Sequence, residues 1–250
     1  MESDYRGRLF KTYNATHIAY LDADDQAKLE WFSKYAASNY LPLLTGMDKQ
    51  SAEVLEVACN KGYLLKALAT HGFRNLRGVD LSPEDVSKAR AIAPEAEIAY
   101  ADAALYLREQ RGRFDIIILK AMLEHVPKNE TLPLLEKLRA ALKPNGLVII
   151  DVPNMDWLFA AHERYMDFTH ETGFTRDSLA QVMRNVFDDV RIVPSTPVVE
   201  RGLKTRIGAL LRPAVISLAG IFLRIISEGA SDVWWHSRSI IGTGRNSSGK

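Results

Sequence analysis

Between Glu53 and Asp151 the chain alternates two hydrophobic rhythms. Short apolar runs, "EVLEVA" (53–58), "NLRGVD" (75–80), "AEIAYA" (96–101), "FDIIIL" (114–119) and "GLVIID" (146–151), are rich in Val, Ile and Leu and predict buried strands. Between them "YLLKALATH", "SPEDVSKARAIA", "DAALYLREQ" and "ETLPLLEKLRAALK" carry apolar residues three and four apart, the spacing of one helix face. Ser82 followed by Pro83 marks a helix start, and "KPNG" (143–146) is expected to close the longest helix. Farther on, "TRDSLAQVMRNV" predicts a capped helix, and "FDDVRIV" and "SRSIIGTGR" predict two more strands. Repeated strand–helix–strand units imply an α/β fold: a Rossmann-like, mostly parallel seven-stranded sheet with helices on both faces, a three-layer sandwich.

The flanks are patterned differently. Residues 1–50 hold "DDQAKLEWFSKYAASNYLPLL", an amphipathic cap whose Trp31, Phe32, Tyr35 and Tyr40 are expected either to pack on the sheet edge or to form a lid. The expected division is a helical cap over 1–50, a core over 51–199, and a helical insertion with the last strand over 200–245 that completes the same domain. Within the insertion Arg201, Lys204, Arg206, Arg212 and Arg224 are scattered among leucines and isoleucines. Such a segment, about 203–227, suits either an anionic membrane surface or packing against the sheet or a second subunit in a homodimer. Pro213 and Gly220 are expected to interrupt any long regular helix there.

Composition narrows the classes. The 250 residues are 47% hydrophobic and 25% charged, with a net charge of +1, so no global field favours nucleic acid. The single cysteine, Cys59, cannot form an internal disulfide, and thiolate metal clusters are excluded. The first residues lack the arrangement of a secretory signal, and the apolar stretch after Arg212 is shorter than the roughly 20 residues of a spanning helix. A cytoplasmic protein is expected, at the inner face of a membrane if the insertion binds one.

Candidate chemistry sits at strand ends, because ligands of open parallel sheets bind beyond the carboxyl ends of the strands. After the first strand come Glu56 to Gly62, after the second Asp80, and after the third Asp102. Asp80 lies 24 residues beyond Glu56, near the spacing at which a carboxylate meets a ribose hydroxyl pair. No "G-x-G-x-x-G" is present, which disfavours a nicotinamide-dependent oxidoreductase.

In order and spacing, "LEVACNKGYL", "GVDLSPEDVSKAR", "YADAALYL", "FDIIILKAMLEHV" and "LKPNGLVIIDVPN" resemble the class I S-adenosylmethionine-dependent methyltransferases over about residues 50–155. The resemblance implies that Glu56, Val57, Ala58, Cys59, Asn60 and Gly62 surround the methionine part of S-adenosyl-L-methionine. It also implies that Asp80 with Leu81 holds the ribose, Asp102 with Ala103 meets the adenine, and Lys120 flanks the methyl group. The loop departs from the family: Ala58 and Asn60 stand where glycine is usual. Alanine is tolerable if its φ stays negative, and asparagine is the non-glycine residue best suited to a left-handed backbone.

An oxygen acceptor must lose its proton, and histidine is suited to take it. His125 follows the fourth strand. His170, in "RYMDFTHETGFTRDSL", lies beyond the fifth, in a stretch similar to the "D-x-T-H" of methyltransferases of bacterial surface-polysaccharide pathways. The expectation is a catalytic His170 oriented by Asp167, with His125 beside it and no metal; local hydrogen bonding of Asp167, Thr169 and His170 is the competing structural role. A magnesium-dependent variant would gather Asp151, Asp167 and His170. The expected reaction is methylation of a sugar hydroxyl on a glycan, nucleotide-sugar or lipid-linked saccharide. The alternatives are a nitrogen or carbon acceptor on another small metabolite, or a catalytically silent partner subunit.

Overall fold

A computed structural model of the chain describes residues 5–13, 24–198, 202–226 and 233–247. The described residues form a seven-stranded sheet of order β3-β2-β1-β4-β5-β7-β6. Its strands are β1 Glu53–Val57, β2 Asn75–Asp80, β3 Ala96–Tyr100, β4 Phe114–Lys120, β5 Leu142–Pro153, β6 Asp188–Pro194 and β7 Ser239–Arg245. The first five run parallel, and β7 is antiparallel to both β5 and β6. Helices α3 Tyr63–Thr70, α4 Pro83–Ile92, α5 Ala103–Arg108 and α6 Lys128–Ala141 connect the parallel strands, as crossovers must. The chain builds outward from β1 to β3 and then returns to the other side of β1 for β4. That reversal opens a crevice above the carboxyl ends of β1 and β4.

Period-two alternation divides the strand side chains between two cores. Leu55, Val57, Ile117, Leu119, Val148 and Ile150 face one layer together with Leu135 and Leu138 of α6. Val54, Ile116, Ile118, Leu147 and Ile149 face the other, with Leu64, Leu65 and Leu68 of α3. All are at most 5% exposed, and each such side chain stabilises the fold by about 1.5–3 kcal/mol. Caps fix the helix starts: Ser82 Oγ accepts from the Asp85 amide at 3.2 Å. Thr175 and Ser178 form a reciprocal capping box on α8 Arg176–Arg184.

Three expectations are corrected. The Lys143–Gly146 segment does not close α6, which already ends at Ala141. Instead it lies within β5 as an irregularity: Phe114 pairs with Leu142, the register slips, and Ile116 pairs with Leu147. Asn145 supplies the left-handed residue there, with φ 62°. Second, α9 runs unbroken over Leu203–Ile226 despite Pro213 and Gly220. Proline removes a single backbone donor, and the remaining turns carry the helix past it. Third, α2 Asp25–Asn39 does not sit on the sheet edge. It packs on α3 and buries Tyr35 and Ala36, which with Tyr40 join the core around Val54 and Ile241. α1 Tyr5–Tyr13 precedes it, and α7 Ala160–Tyr165 follows β5. Among the described residues no helix is long and apolar enough to cross a membrane.

Candidate active site

The crevice is a cavity of about 640 Å³, lined from β1 and its loop by Glu56, Ala58, Cys59 and Asn60, and from β2 and α4 by Asp80, Leu81, Ser82 and Asp85. Asp102 and Ala103 line it from the start of α5, and Lys120 and His125 from the end of β4 and the turn after it. Most of the predicted cofactor residues therefore converge. Val57 and Gly62 do not line the cavity: Val57 is buried in the core, and Gly62 turns the chain into α3.

The loop between β1 and α3 coils because three of its residues adopt left-handed backbone: Ala58 (φ 56°), Asn60 (φ 46°) and Gly62 (φ 79°). Asn60 and Gly62 suit that conformation. Ala58 does not, and the condition under which alanine is expected to be tolerable, a negative φ, is not met. A single alanine there costs about 1–2 kcal/mol, which the surrounding bonds offset. The Cys59 amide donates to Val79 O at 3.1 Å and the Gly62 amide to Cys59 O at 2.9 Å. The Asn60 amide donates to Asp80 Oδ2 at 2.8 Å. Gly78 of β2 makes room for this coil, since a Cβ on it would lie 2.7 Å from Cys59 Sγ.

The base of the cavity holds two carboxyl groups, Glu56 and Asp80. Glu56 is buried, and its Oε2 has no hydrogen-bond partner among the described residues. Burial pushes its carboxyl well above the usual range, the Asp80 charge adds to that, and Lys120 opposes it. Asp80 is also raised by burial, against the amides of Ser82 and Asn60 that donate to its two oxygens. Asp102 caps α5 through Oδ1, accepting from the Leu105 amide at 2.9 Å. Burial, then Glu56 and Asp80, push the Cys59 thiol far up, so it stays protonated.

At the end of β5 three donors meet one oxygen of buried Asp151. The Tyr35 and Tyr40 hydroxyls each lie 2.7 Å from Oδ2, and Lys120 Nζ lies 3.1 Å away. Burial and the Asp151 charge raise both phenols, which therefore remain donors. Asp151 is thus engaged in tethering the cap, and among the described residues it does not join Asp167 and His170 as the magnesium-dependent variant would require. Of the aromatic residues of the cap, Tyr35 and Tyr40 pack in the core, away from the expected sheet edge, while Phe32 lines the cavity together with Phe10 and Tyr13 of α1.

His125 and His170 come together, their ring centroids 4.8 Å apart at an angle of 62°. His170 and Asp167 do not themselves line the cavity; His125 does. Asp167 is not the orienting partner of the His170 ring. Its Oδ1 accepts from the Thr169 hydroxyl at 2.7 Å, and Thr169 Oγ1 lies 2.9 Å from His125 Nδ1. Because the threonine proton is given to the carboxylate, His125 Nδ1 carries a hydrogen and Nε2 carries the lone pair. Tyr13 donates to Asp167 Oδ2 at 2.7 Å. Burial alone would raise Asp167, but these donors outweigh it and hold the carboxyl below its ordinary value. His170 Nδ1 faces Glu163 O at 2.9 Å, so this ring too carries its lone pair on Nε2. Burial lowers the His170 pKa, against the Asp167 charge.

Several participants escaped sequence reasoning. Glu124, next to His125, is buried, and burial pushes its carboxyl up to about 8. Glu124, His125 and His170 bring ligand-capable atoms within 4.8 Å of one another. The adjacency of Glu124 to a histidine at a strand end was the available signal. Thr169 bonds locally to Asp167, as its competing structural role expected, but its contact with His125, and those of Tyr13 and Glu163, have no local pattern to announce them.

Residues 27–186 match the family described as "Methyltransferase domain". The chain is similar to the ubiquinone biosynthesis O-methyltransferase of Actinobacillus pleuropneumoniae serotype 7, 30% identical over 156 residues, which covers 52% of this chain and 65% of that protein. It is also 30% identical over 147 residues to the protein of the same name from Bordetella avium, covering 56% of each. The match thus spans between half and two thirds of these curated relatives. Among solved structures, a SAM-dependent methyltransferase from Archaeoglobus fulgidus superposes with a TM-score of 0.62 at 16% identity, covering 97% of this chain and all of that one. A possible histamine N-methyltransferase from Thermotoga maritima superposes with a TM-score of 0.61 at 12% identity, covering 95% and 98%. At such identities the superpositions speak for the fold alone. With the family match covering well over half of the sequence, the chain belongs to the methyltransferase-domain family of S-adenosylmethionine-dependent enzymes.

Proposed function

We propose that the chain transfers the methyl group of S-adenosylmethionine to a hydroxyl of an acceptor that carries a lipid tail. The observation that carries this reading is the pair of imidazoles, His125 on the cavity wall and His170 against it, each turned with Nε2 as its basic nitrogen by Thr169–Asp167 on one side and Glu163 on the other. Methyl transfer to nitrogen or to an activated carbon has less need of such a face; transfer to a hydroxyl oxygen requires that a proton leave. The printed names of the relatives, O-methyltransferases of ubiquinone biosynthesis, support an oxygen acceptor. They lend no support to a sugar as such.

The residues fit the cofactor. When bound, S-adenosylmethionine supplies a methyl group made electrophilic by its sulfonium. The unpartnered, buried Oε2 of Glu56 suits its ammonium group, and that cation would draw the raised carboxyl back toward ionisation. Each Asp80 oxygen holds one backbone amide and keeps a second lone pair for a ribose hydroxyl. Asp102, with one oxygen given to its helix cap, keeps the other for the adenine amino group. Backbone of the 58–62 coil, with Val57 and Cys59 behind it, supports the amino-acid tail, and Leu81, Ala103 and Lys120 wall the pocket. Phe10, Tyr13 and Phe32 exclude water from the reacting atoms.

The lipid tail is argued from α9. It exposes Leu210, Leu218 and Ile225 at 80%, 69% and 76%, far more apolar surface than a helix folded onto its own domain leaves in water. The sequence from Arg201 to Ile226 contains basic residues and no acid, which suits an anionic bilayer surface. The excursion that bears α9 is rooted on the cavity side of the sheet, where Pro153 at the end of β5 pairs with Ser239. A bilayer-bound helix would thus hold the cavity near lipid-borne acceptors.

The test is a transfer assay with methyl-labelled S-adenosylmethionine and fractionated bacterial extract, the product being identified by mass spectrometry. Label is expected as an O-methyl group in the lipid fraction. A prenylated phenol and a lipid-linked saccharide share the required hydroxyl and tail, and the product mass separates them. An N- or C-methyl product, or label confined to water-soluble metabolites, would overturn the reading.

A further inference from the structure

We infer that Glu124, His125 and His170 form a binding site for one divalent first-row transition ion, with Zn2+ as the best match to the donor set. The two donor segments are built to meet. The 3-10 turn Leu123–His125 follows β4, and the His170 loop folds back onto it: the Glu171 and Thr172 amides both donate to Glu124 O, at 2.8 and 3.0 Å. Arg164 clamps the same loop through the His170 and Glu171 carbonyls, at 2.6 and 3.1 Å. The side chains are therefore preorganised by backbone contacts independent of any ion.

The two imidazoles are turned as a cation needs them. The hydrogen-bond chains described above put the proton of both imidazoles on Nδ1 and the lone pair on Nε2. An acceptor behind Nδ1, here Thr169 Oγ1 or Glu163 O, is the arrangement that orients metal-ligating histidines. Glu124 is 3% exposed, and its Oε2 has no hydrogen-bond partner among the described residues. A carboxylate oxygen left so is expensive unless something charged meets it. One ligand-capable atom from each of the three residues lies within 4.8 Å of the other two. Metal bonds of about 2.1 Å would draw the widest pair together by under 2 Å to reach tetrahedral separations. Two imidazoles and one carboxylate favour zinc over magnesium, which prefers oxygen ligands and keeps its waters.

Three protein ligands leave a coordination position open, and His125 lines the cavity, so the ion would border the space that an acceptor enters. Its catalytic use rests on the reading above, whereas its binding does not. With both Nε2 lone pairs on the ion, the imidazoles would no longer take the acceptor's proton; a hydroxyl at the open position would release it to solvent more readily. The oxygen lone pair would then form the new O–C bond while the C–S bond of the donor breaks, its electron pair staying on the sulfur.

The experiment takes the full chain stripped with chelator. It measures Zn2+ and Mg2+ uptake by titration calorimetry and elemental analysis, with Co2+ as an optical probe. Expected are one Zn2+ per chain, no comparable Mg2+ binding, and visible Co2+ bands. Glu124→Gln and His170→Ala should each weaken Zn2+ at least tenfold and abolish those bands, and Thr169→Ala should weaken it by a factor of about 10–100. Because His170 is part-buried, its variant reports even if the Glu124 change unfolds the chain. Absence of Zn2+ uptake, or equal affinity in wild type and the His170→Ala variant, overturns the site. S-adenosylhomocysteine titrated into the same samples separates the two proposals: cofactor binding without zinc ends only the metal site, and zinc without cofactor binding ends the methyl-transfer reading alone.

Discussion

Replacing Tyr40 by phenylalanine tests how the amino-terminal cap is fastened to the sheet. Tyr40 is 0% exposed and donates at 2.7 Å to Asp151 Oδ2, an oxygen it shares with Tyr35 and Lys120. A hydrogen bond to a charged acceptor contributes about 1.5–3 kcal/mol. The Asp151 oxygen keeps two other donors, so the loss should sit at the lower end, about 1.5 kcal/mol. For a chain of this size that corresponds to a melting-temperature decrease of roughly 3–6 °C, at about 2–4 °C per kcal/mol. Asp151→Ala is harsher, about 3–5 kcal/mol, since it strands the Lys120 ammonium in a largely buried position. The decisive quantity is the coupling between the two changes, measured by urea unfolding of both single variants and the double variant. The contact described here requires a coupling above about 1 kcal/mol. Strict additivity would refute it, and with it the account of why α2 stays over the cavity.

Asp80→Ala removes the acceptor of the Asn60 and Ser82 amides. It should weaken S-adenosylhomocysteine at least tenfold by calorimetry, about 1.4 kcal/mol; unchanged affinity would mean that the cofactor lies elsewhere. Ala58→Gly relieves a left-handed alanine and should stabilise the fold by up to about 1 kcal/mol, the strain relieved less the entropy of glycine. Urea unfolding showing a clear loss instead would contradict the φ reported for this residue. Gly78→Ala sets a methyl 2.7 Å from Cys59 Sγ and 2.8 Å from Leu65 Cδ1. It should cost about 1–3 kcal/mol, and adding Cys59→Ala should recover part of the loss.

The sheet was legible because parallel strands, buried on both faces, read as unbroken Val, Ile and Leu runs, and because Ser82–Pro83 and Thr175 sit where helices must begin. Acidic residues at strand ends could be picked out one by one, since topology alone brings those ends to one crevice. Other features depend on partners distant in sequence. Nothing near Tyr40 indicates that its hydroxyl meets Asp151, 111 residues away, and nothing near His125 announces Thr169. Ala58 has a left-handed φ that nothing in its own residue type announces, in a coil whose next residues are tied to Val79 and Asp80. Pro213 was overweighted, as one missing donor does not stop a helix of 24 residues. The His170 stretch stood out by its residues, yet its neighbour in space, Glu124, carried no local mark beyond standing beside a histidine.

The antiparallel pairing of β6 with β7 has an evolutionary consequence. Pro194 and Ile240 are ladder partners, so everything between them departs from one rim of the sheet and comes back to the same rim. Trp234 and Ser237 must stay, because their carbonyls accept from the Asn154 side chain at 2.9 Å. A hydrogen bond that holds α9, from Arg212 to the His236 carbonyl at 2.9 Å, lies within the excursion itself. Exchange of that stretch for a shorter turn or a different appendage would therefore leave the ladder and the cavity at the strand ends in place.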